Sequence, residues 1–209
     1  AIILVALISI LLGVAAAVRG GALDRAIQVL SIVGFSLPNY WVALMTVLAF
    51  AVSLRWLPAT GFVRLGDSPA GWARSLVLPV FSLVFGGIAN ASQQVRGAVI
   101  DVLRQDFVRT LRSRGLSGSS VLLRHALRNA AGPALMVLSL QFVGLLGGAV
   151  VIERVFAIPG MGTLTVDAAL QGDTPVLMGV VVSLVVMVVI VNLVIDIISG
   201  WVNPKVRMQ

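Results

Sequence analysis

Long apolar runs separated by short polar gaps make up the chain. Runs at about 1–18, 32–54, 76–99, 133–152 and 176–198 each reach or approach the length of a membrane span, for which a helix needs roughly 20 apolar residues. The third is the most interrupted, with Asn90, Gln93 and Gln94 preceding Arg96. These runs are too long and too evenly apolar for strands, and no period-2 alternation is sustained in them. The pattern predicts an all-α membrane protein. It is a polytopic transmembrane helical bundle forming one domain over 1–209, with five spans joined by a loop at about 100–132 and another at about 153–175.

Composition agrees with this pattern. Hydrophobic residues make up 59% and charged residues 11%, against roughly 25% charged in soluble domains, and the mean hydropathy is +1.06. The pI near 11.6 would suit a nucleic-acid partner only if a soluble fold carried a basic face. Here the basic residues sit in the gaps between apolar runs, so lipid is expected and nucleic acid is not. Lys205, the only lysine, follows Pro204, so no phosphate-binding loop of the GxxxxGK[ST] kind is present. There is no cysteine, His125 is the single histidine, and no nucleophile–base pair or metal-ligand cluster stands out. An enzyme with its own metal or cofactor is not expected, and any ATP that drives this protein must bind to another chain.

Arginine and lysine set the orientation, because they accumulate on the cytoplasmic side. One set of gaps holds eleven of them (Arg19, Arg25, Arg96, Arg104, Arg109, Arg112, Arg114, Arg124, Arg128, Lys205 and Arg207), and the other holds four (Arg55, Arg64, Arg74 and Arg154). The 100–132 loop and the C-terminus are therefore expected in the cytoplasm. Five spans then put Ala1 outside, and an upstream N-terminal span is expected to precede it.

The basic loop has an internal plan. Val99, Leu103, Phe107 and Leu111 recur every fourth residue, which predicts that the third span continues into the cytoplasm as an amphipathic helix. Gly115 suits the left-handed residue that ends a helix. Ser117 can cap a new one, with Leu116 stapled on Val121. That short helix, about 118–127, carries Val121, Leu122 and Leu123, which call for a partner surface, and 129–133 leads back into the membrane. A loop lying on anionic lipid headgroups and a helix plugged into a separate protein both remain open on these grounds.

RTLRSRGLSGSSVLLRHALRN (109–129) resembles the cytoplasmic coupling loop, the EAA loop, of ABC importer permeases in their dipeptide/oligopeptide/nickel form. With Gly115 aligned, Arg109, Thr110 and Leu111 stand where the general motif has Glu-Ala-Ala. His125 and Arg128 replace its Ile and Pro, and Leu127 keeps its place. SLPNYW (36–41), WLPATG (56–61), LRQDFVRT (103–110), GGAVVIERVFAIPGMG (147–162) and NPKVR (203–207) are also similar to that subclass, so the likeness covers nearly the whole chain.

The resemblance implies a type I-like permease subunit that forms half of the pore for di- or oligopeptide uptake in a bacterial or archaeal inner membrane. Its implied partners are a second permease subunit in a heterodimer, two ATPase subunits that hold ATP and Mg²⁺, and an extracytoplasmic solute-binding protein. The ATPase-coupling residues would be Arg109, Thr110, Gly115, Leu116, Ser117, Val121, Leu122, Leu123, His125 and Leu127. The alternative is a secondary transporter or channel subunit with a lipid-binding basic loop.

Two further groups of residues are candidates. The 153–175 segment combines charge with the turn-forming PGMG run, and reads either as a solvated loop with a re-entrant apolar turn or, by the resemblance, as the docking place of the binding protein. Its candidate residues are Glu153, Phe156, Pro159, Gly160, Asp167 and Asp173. Within the spans, Asn192 and Asp196 share one helix face, and an intramembrane carboxylate is a functional candidate. Asp196 lies near the cytoplasmic end, where it could reach water or pair with an arginine, which favours a structural role over substrate contact. Asn90 and Gln141 are further pore candidates, and Gly144, Gly147 and Gly148 are expected to allow close helix packing.

Overall fold

The computed structural model describes residues 1–202, and no β-strand occurs among them. The 203–207 run, with Lys205 and Arg207, lies outside the described residues. The helices are α1 (Ile2–Arg19), α2 (Gly21–Ser36), α3 (Asn39–Thr46), α4 (Pro69–Leu103), α5 (Asp106–Ser113), α6 (Gly118–Ser120), α7 (Leu127–Val155), α8 (Met161–Gln171) and α9 (Thr174–Val202). Wider π-helical turns extend α3 over Val47–Ser53 and join α6 to α7 over Val121–Ala126. Gly118–Val155 is consequently one helix of 38 residues.

Four helices, α1, α4, the Gly118–Val155 helix and α9, are long and apolar enough to cross a membrane, and five segments qualify if Gly21–Ser36 and Asn39–Ser53 count as one bent span. The apolar run at 32–54 is therefore not a straight span. It bends by 96° where α2 gives way to α3. Pro38 explains the bend, because a residue before proline is pushed out of the helical region and Leu37 is extended at φ −86°, ψ 124°. The Pro38 carbonyl then accepts from the backbone N–H groups of Trp41 and Val42 and starts α3.

Helix α4 is the central post, packed by α1, α2, α3 and α7. At 35 residues it is about 52 Å long at 1.5 Å per residue, well beyond a hydrocarbon core of about 30 Å. The α1 backbone comes very close to it: a Cβ on Gly13 would lie 2.8 Å from the Ser92 carbonyl oxygen. Gly148 lies similarly close to Asn39 and Leu83, whereas Gly144 and Gly147 have no neighbour within 4 Å of a built Cβ. Close packing was expected of all three and is found only at Gly148.

Three apolar clusters follow α4 from end to end. Val95, Val99 and Val102 meet Ala126, Ala130 and Ala134 at the arginine-rich end. Val5, Val84, Ala91, Leu138 and Leu145 fill the middle. Ala43, Leu78, Ile152 and Phe156 close the opposite end. Buried hydroxyls are matched in pairs across helices, Ser31 with Ser92 and Thr46 with Ser82, each at 3.1 Å, as a low-dielectric interior requires. Helix α9 packs along α7 and α8 and leaves Val182, Val185, Val189 and Leu193 exposed, a surface suited to lipid or to another apolar helix.

Candidate functional site

At the arginine-rich end the loop folds back on its own chain. Helix α4 stops at Leu103, and Gln105, extended at ψ 150°, starts α5. The expected continuous helix through Leu111 is thus broken at Arg104–Gln105. Val108 is fully buried, and Phe107 packs against the cluster made by α4 and the Gly118–Val155 helix. Gly115 ends α5 with φ +79°. The Leu116 N–H reaches back to the Leu111 carbonyl at 3.3 Å and the Gly115 N–H to that of Arg112 at 2.9 Å, a left-handed helix stop that favours glycine. Ser117 caps the next helix by accepting from the Ser120 N–H at 3.4 Å.

Two sequence expectations change here. The helix beginning at Gly118 does not end near Leu127, because 129–133 is helical and Pro133 lies inside α7. Nor do Val121, Leu122 and Leu123 form an open face. Val121 is 1% exposed and Leu122 packs on the chain's own cluster, so only Leu123, 67% exposed, is left to meet a partner. Three apolar residues in a row cannot share one side of a helix, and the chain's own core takes the first two. Leu127 also packs on that cluster, and His125 is half-buried, its carbonyl accepting from the Asn129 side chain at 2.8 Å. Arg109 and Thr110 lie exposed on α5, and Asp106 pairs with Arg109 at 3.6 Å in the open, where such pairs contribute little. What faces outward is a basic, polar α5 surface with Leu123 nearby.

The same end is braced between α2 and α4. Arg96 donates to both carboxylate oxygens of Asp24, one contact being 2.6 Å, and Gln93 donates to the Gln28 carbonyl at 3.3 Å. The sequence reading missed this pair, since Asp24 lies outside every apolar run. Its only trace is one acid in a basic gap. Arg128 donates to the Val202 carbonyl at 2.8 Å and so ties α7 to the end of α9.

At the opposite end, 153–175 is mostly the helix α8. Glu153 accepts from the Thr163 N–H at 2.9 Å, inside the first turn of α8, where a carboxylate is favoured. Gly160 and Gly162 make room for it: a Cβ on Gly160 would lie 2.2 Å from the Glu153 carboxyl carbon. Arg154 pairs with Asp167 at 2.6 Å, and Asp173 accepts from the Val176 N–H at 3.1 Å at the start of α9. Phe156 is buried in the outer apolar cluster and so is withdrawn from any docking role. Glu153, Gly160 and Asp167 hold α8 on α7, which leaves Pro159 and Asp173 as the exposed members of the docking set.

The intramembrane polar candidates separate into two groups. Asn90 donates to Gln141 at 3.3 Å and accepts from Gln94 at 3.1 Å, joining α4 to α7. Ser139 donates to Asn192, joining α7 to α9. Asp196 is exposed and forms no ion pair among the described residues, so the arginine partner expected for it is not found there. Among those residues no group of three or more potential metal ligands occurs either.

Comparison with known proteins adds the family. Residues 9–208 match the model of the binding-protein-dependent transport system inner membrane component. The chain is 41% identical over 201 residues to a putative peptide transport system permease protein of Brucella abortus (strain 2308), covering 96% of this chain and 64% of that protein. It is 37% identical to the oligopeptide transport system permease protein AppB of Bacillus subtilis (strain 168) over 98% of this chain and 66% of the relative. The dipeptide transport system permease protein DppB of the same organism is 36% identical over 100% and 66%. The chain thus spans about two thirds of the length of the curated relatives it matches. By the extent of these matches and by its helical architecture, the chain belongs to the family of binding-protein-dependent transport system inner membrane components.

Proposed function

We propose that this chain is the pore-forming core of a permease subunit in an ATP-driven importer of di- or oligopeptides. It pairs with a second permease subunit as a heterodimer, receives its substrate from an extracytoplasmic binding protein, and is driven by two ATPase subunits that carry ATP and Mg²⁺. The chain itself hydrolyses nothing. The arginine-rich end lies in the cytoplasm, as the eleven-to-four division of basic residues favours.

The observation that carries the reading is the seat of α5. Its inner face is buried against the cluster where α4 and the Gly118–Val155 helix meet, while its outer face is polar and exposed. A partner pressing on α5 therefore displaces the cytoplasmic ends of α4 and α7 together, because a close-packed contact transmits displacement rather than absorbing it. At the other end, α8 is held to α7 through Glu153 and Arg154, so movement of α7 reaches the surface where a binding protein would sit. That the relatives are named as peptide, oligopeptide and dipeptide transport permeases supports peptides as the substrate class.

The test is co-purification. An affinity tag on this chain, expressed from its native gene neighbourhood, should retrieve two ATPase chains and a second permease. Recovery of the chain alone, from membranes in which those neighbours are present, would refute the reading.

A further inference from the structure

The break between α2 and α3 lies in the middle of the membrane. Asn39, the first residue of α3, is wedged between α4 and α7. A Cβ on Gly86 would lie 3.2 Å from its Oδ1, and one on Gly148 would lie 3.1 Å from its Nδ2. Along α4, Gly86 stands ten residues from Arg96 and twelve from Arg74. Those intervals are about 15 and 18 Å at 1.5 Å per residue, against a hydrocarbon core of about 30 Å. The elbow at 36–40 is therefore far from the water on either side.

Its backbone is bare. Leu37 is extended, and neither its N–H nor its carbonyl forms a hydrogen bond among the described residues. Pro38 has no N–H, so the Gly34 carbonyl loses its usual partner four residues on. Ser36, Pro38 and Tyr40 are exposed, with Phe35 and Trp41 beside them, so this surface is part polar and part aromatic. The space next to it is open. Gly144 lies one turn from Gly148 on the same face of α7, and nothing comes within 4 Å of a Cβ built there.

Irregular backbone does not face lipid at this depth. It is tolerated only where protein buries it or where it lines a water-filled cavity. The chain's own helices leave the elbow open, and a neighbouring transmembrane helix spends its backbone groups on itself, so it has none to give Leu37. Water does. We infer that the elbow at 36–40 is a wall of the water-filled path at mid-membrane, with the Leu37 peptide groups and the Tyr40 hydroxyl hydrated. The inference rests on the permease reading and adds to it the residues that meet water at the centre of the path.

The chain has no cysteine, so Ser36→Cys and Tyr40→Cys can each carry a single nitroxide label. The assembled complex, with cysteine-free partners, is placed in nanodiscs and measured without nucleotide and trapped with ATP and vanadate. Power saturation reports collisions with oxygen, which concentrates in lipid, and with a neutral nickel chelate, which stays in water. Leu7→Cys is the lipid reference: Leu7 is exposed on α1, between Val5, which lies against Gly87, and Gly13, which lies against Ser92. Arg64→Cys, exposed in the outer loop, is the water reference. In at least one state both elbow labels should show a nickel-to-oxygen ratio close to that at Arg64→Cys. A ratio like that at Leu7→Cys in both states would place lipid against the elbow. Few collisions with either reagent in both states would place the second subunit there. Either result overturns the inference. Peptide uptake by the same complexes separates the two claims. Uptake by a complex whose elbow is dry defeats only the elbow assignment. A wet elbow in a complex whose ATPase ignores peptide defeats only the importer reading.

Discussion

The Glu153 carboxylate is held so closely by Gly160 that the two residues should behave energetically as one. Gly160 sits at φ −123°, ψ 179°, ordinary extended backbone, so alanine there carries no conformational penalty. Its Cβ would fall 2.2 Å from the Glu153 carboxyl carbon, forcing that carboxylate off the Thr163 N–H. A hydrogen bond to a charged group contributes about 1.5–3 kcal/mol, so Gly160→Ala should cost roughly that much, and Glu153→Ala should cost about the same. The double variant should cost little more than either, because the second change removes a contact already lost. Gly162→Ala is the control: its Cβ would meet the Val150 Cα at 2.5 Å, backbone that Glu153→Ala does not relieve. The assay is unfolding of the purified chain by SDS titration in mixed micelles, followed by circular dichroism. Additivity of Gly160→Ala and Glu153→Ala within about 0.5 kcal/mol, as for independent sites, would refute the account of this clamp.

Three further outcomes are expected. Val121→Asp puts a charge into a fully packed position and should abolish folded yield, whereas Leu123→Asp should leave the yield of monodisperse protein from membranes unchanged. Asp24→Asn should lower that yield by leaving the Arg96 guanidinium uncompensated, and the exchange Asp24→Arg with Arg96→Asp should recover part of it. Ala157 ends α7 with φ +52°, where an L side chain is strained, so Ala157→Gly should stabilise the chain by about 0.5–1 kcal/mol in the same SDS titration.

Hydropathy alone exposes α1, α4, α7 and α9, because a membrane span needs an apolar run of fixed length and little else. The bend at Leu37–Pro38 does not appear in hydropathy, since its flanks are equally apolar. Pro38 was the available signal. Helix α2 begins eleven residues before its apolar run, and Asp24 in its first turn is neutralised by Arg96, a partner 72 positions away that no local pattern can name. In the basic loop, Gly115 and Ser117 could be read from backbone chemistry, which is local. The partner of Val121 and Leu122 could not: their apolar character requires burial but does not say against what, and here the chain's own α4 and α5 pack on that turn. Phe156 and Glu153 show the same limit at the opposite end, where residues that look available for docking instead close the fold.

The central claim is that α5 carries the work of ATP hydrolysis into the helices that line the path. It is tested most directly by measuring uptake of a labelled dipeptide and ATP hydrolysis in the same proteoliposomes, with the exposed face of α5 intact or reversed by Arg109→Glu and Arg112→Glu. The account predicts uptake that requires ATP in the first case, and loss of uptake with the complex still correctly inserted in the second. Normal ATP-driven uptake by the reversed variant, or uptake by the intact complex without ATP, would contradict it.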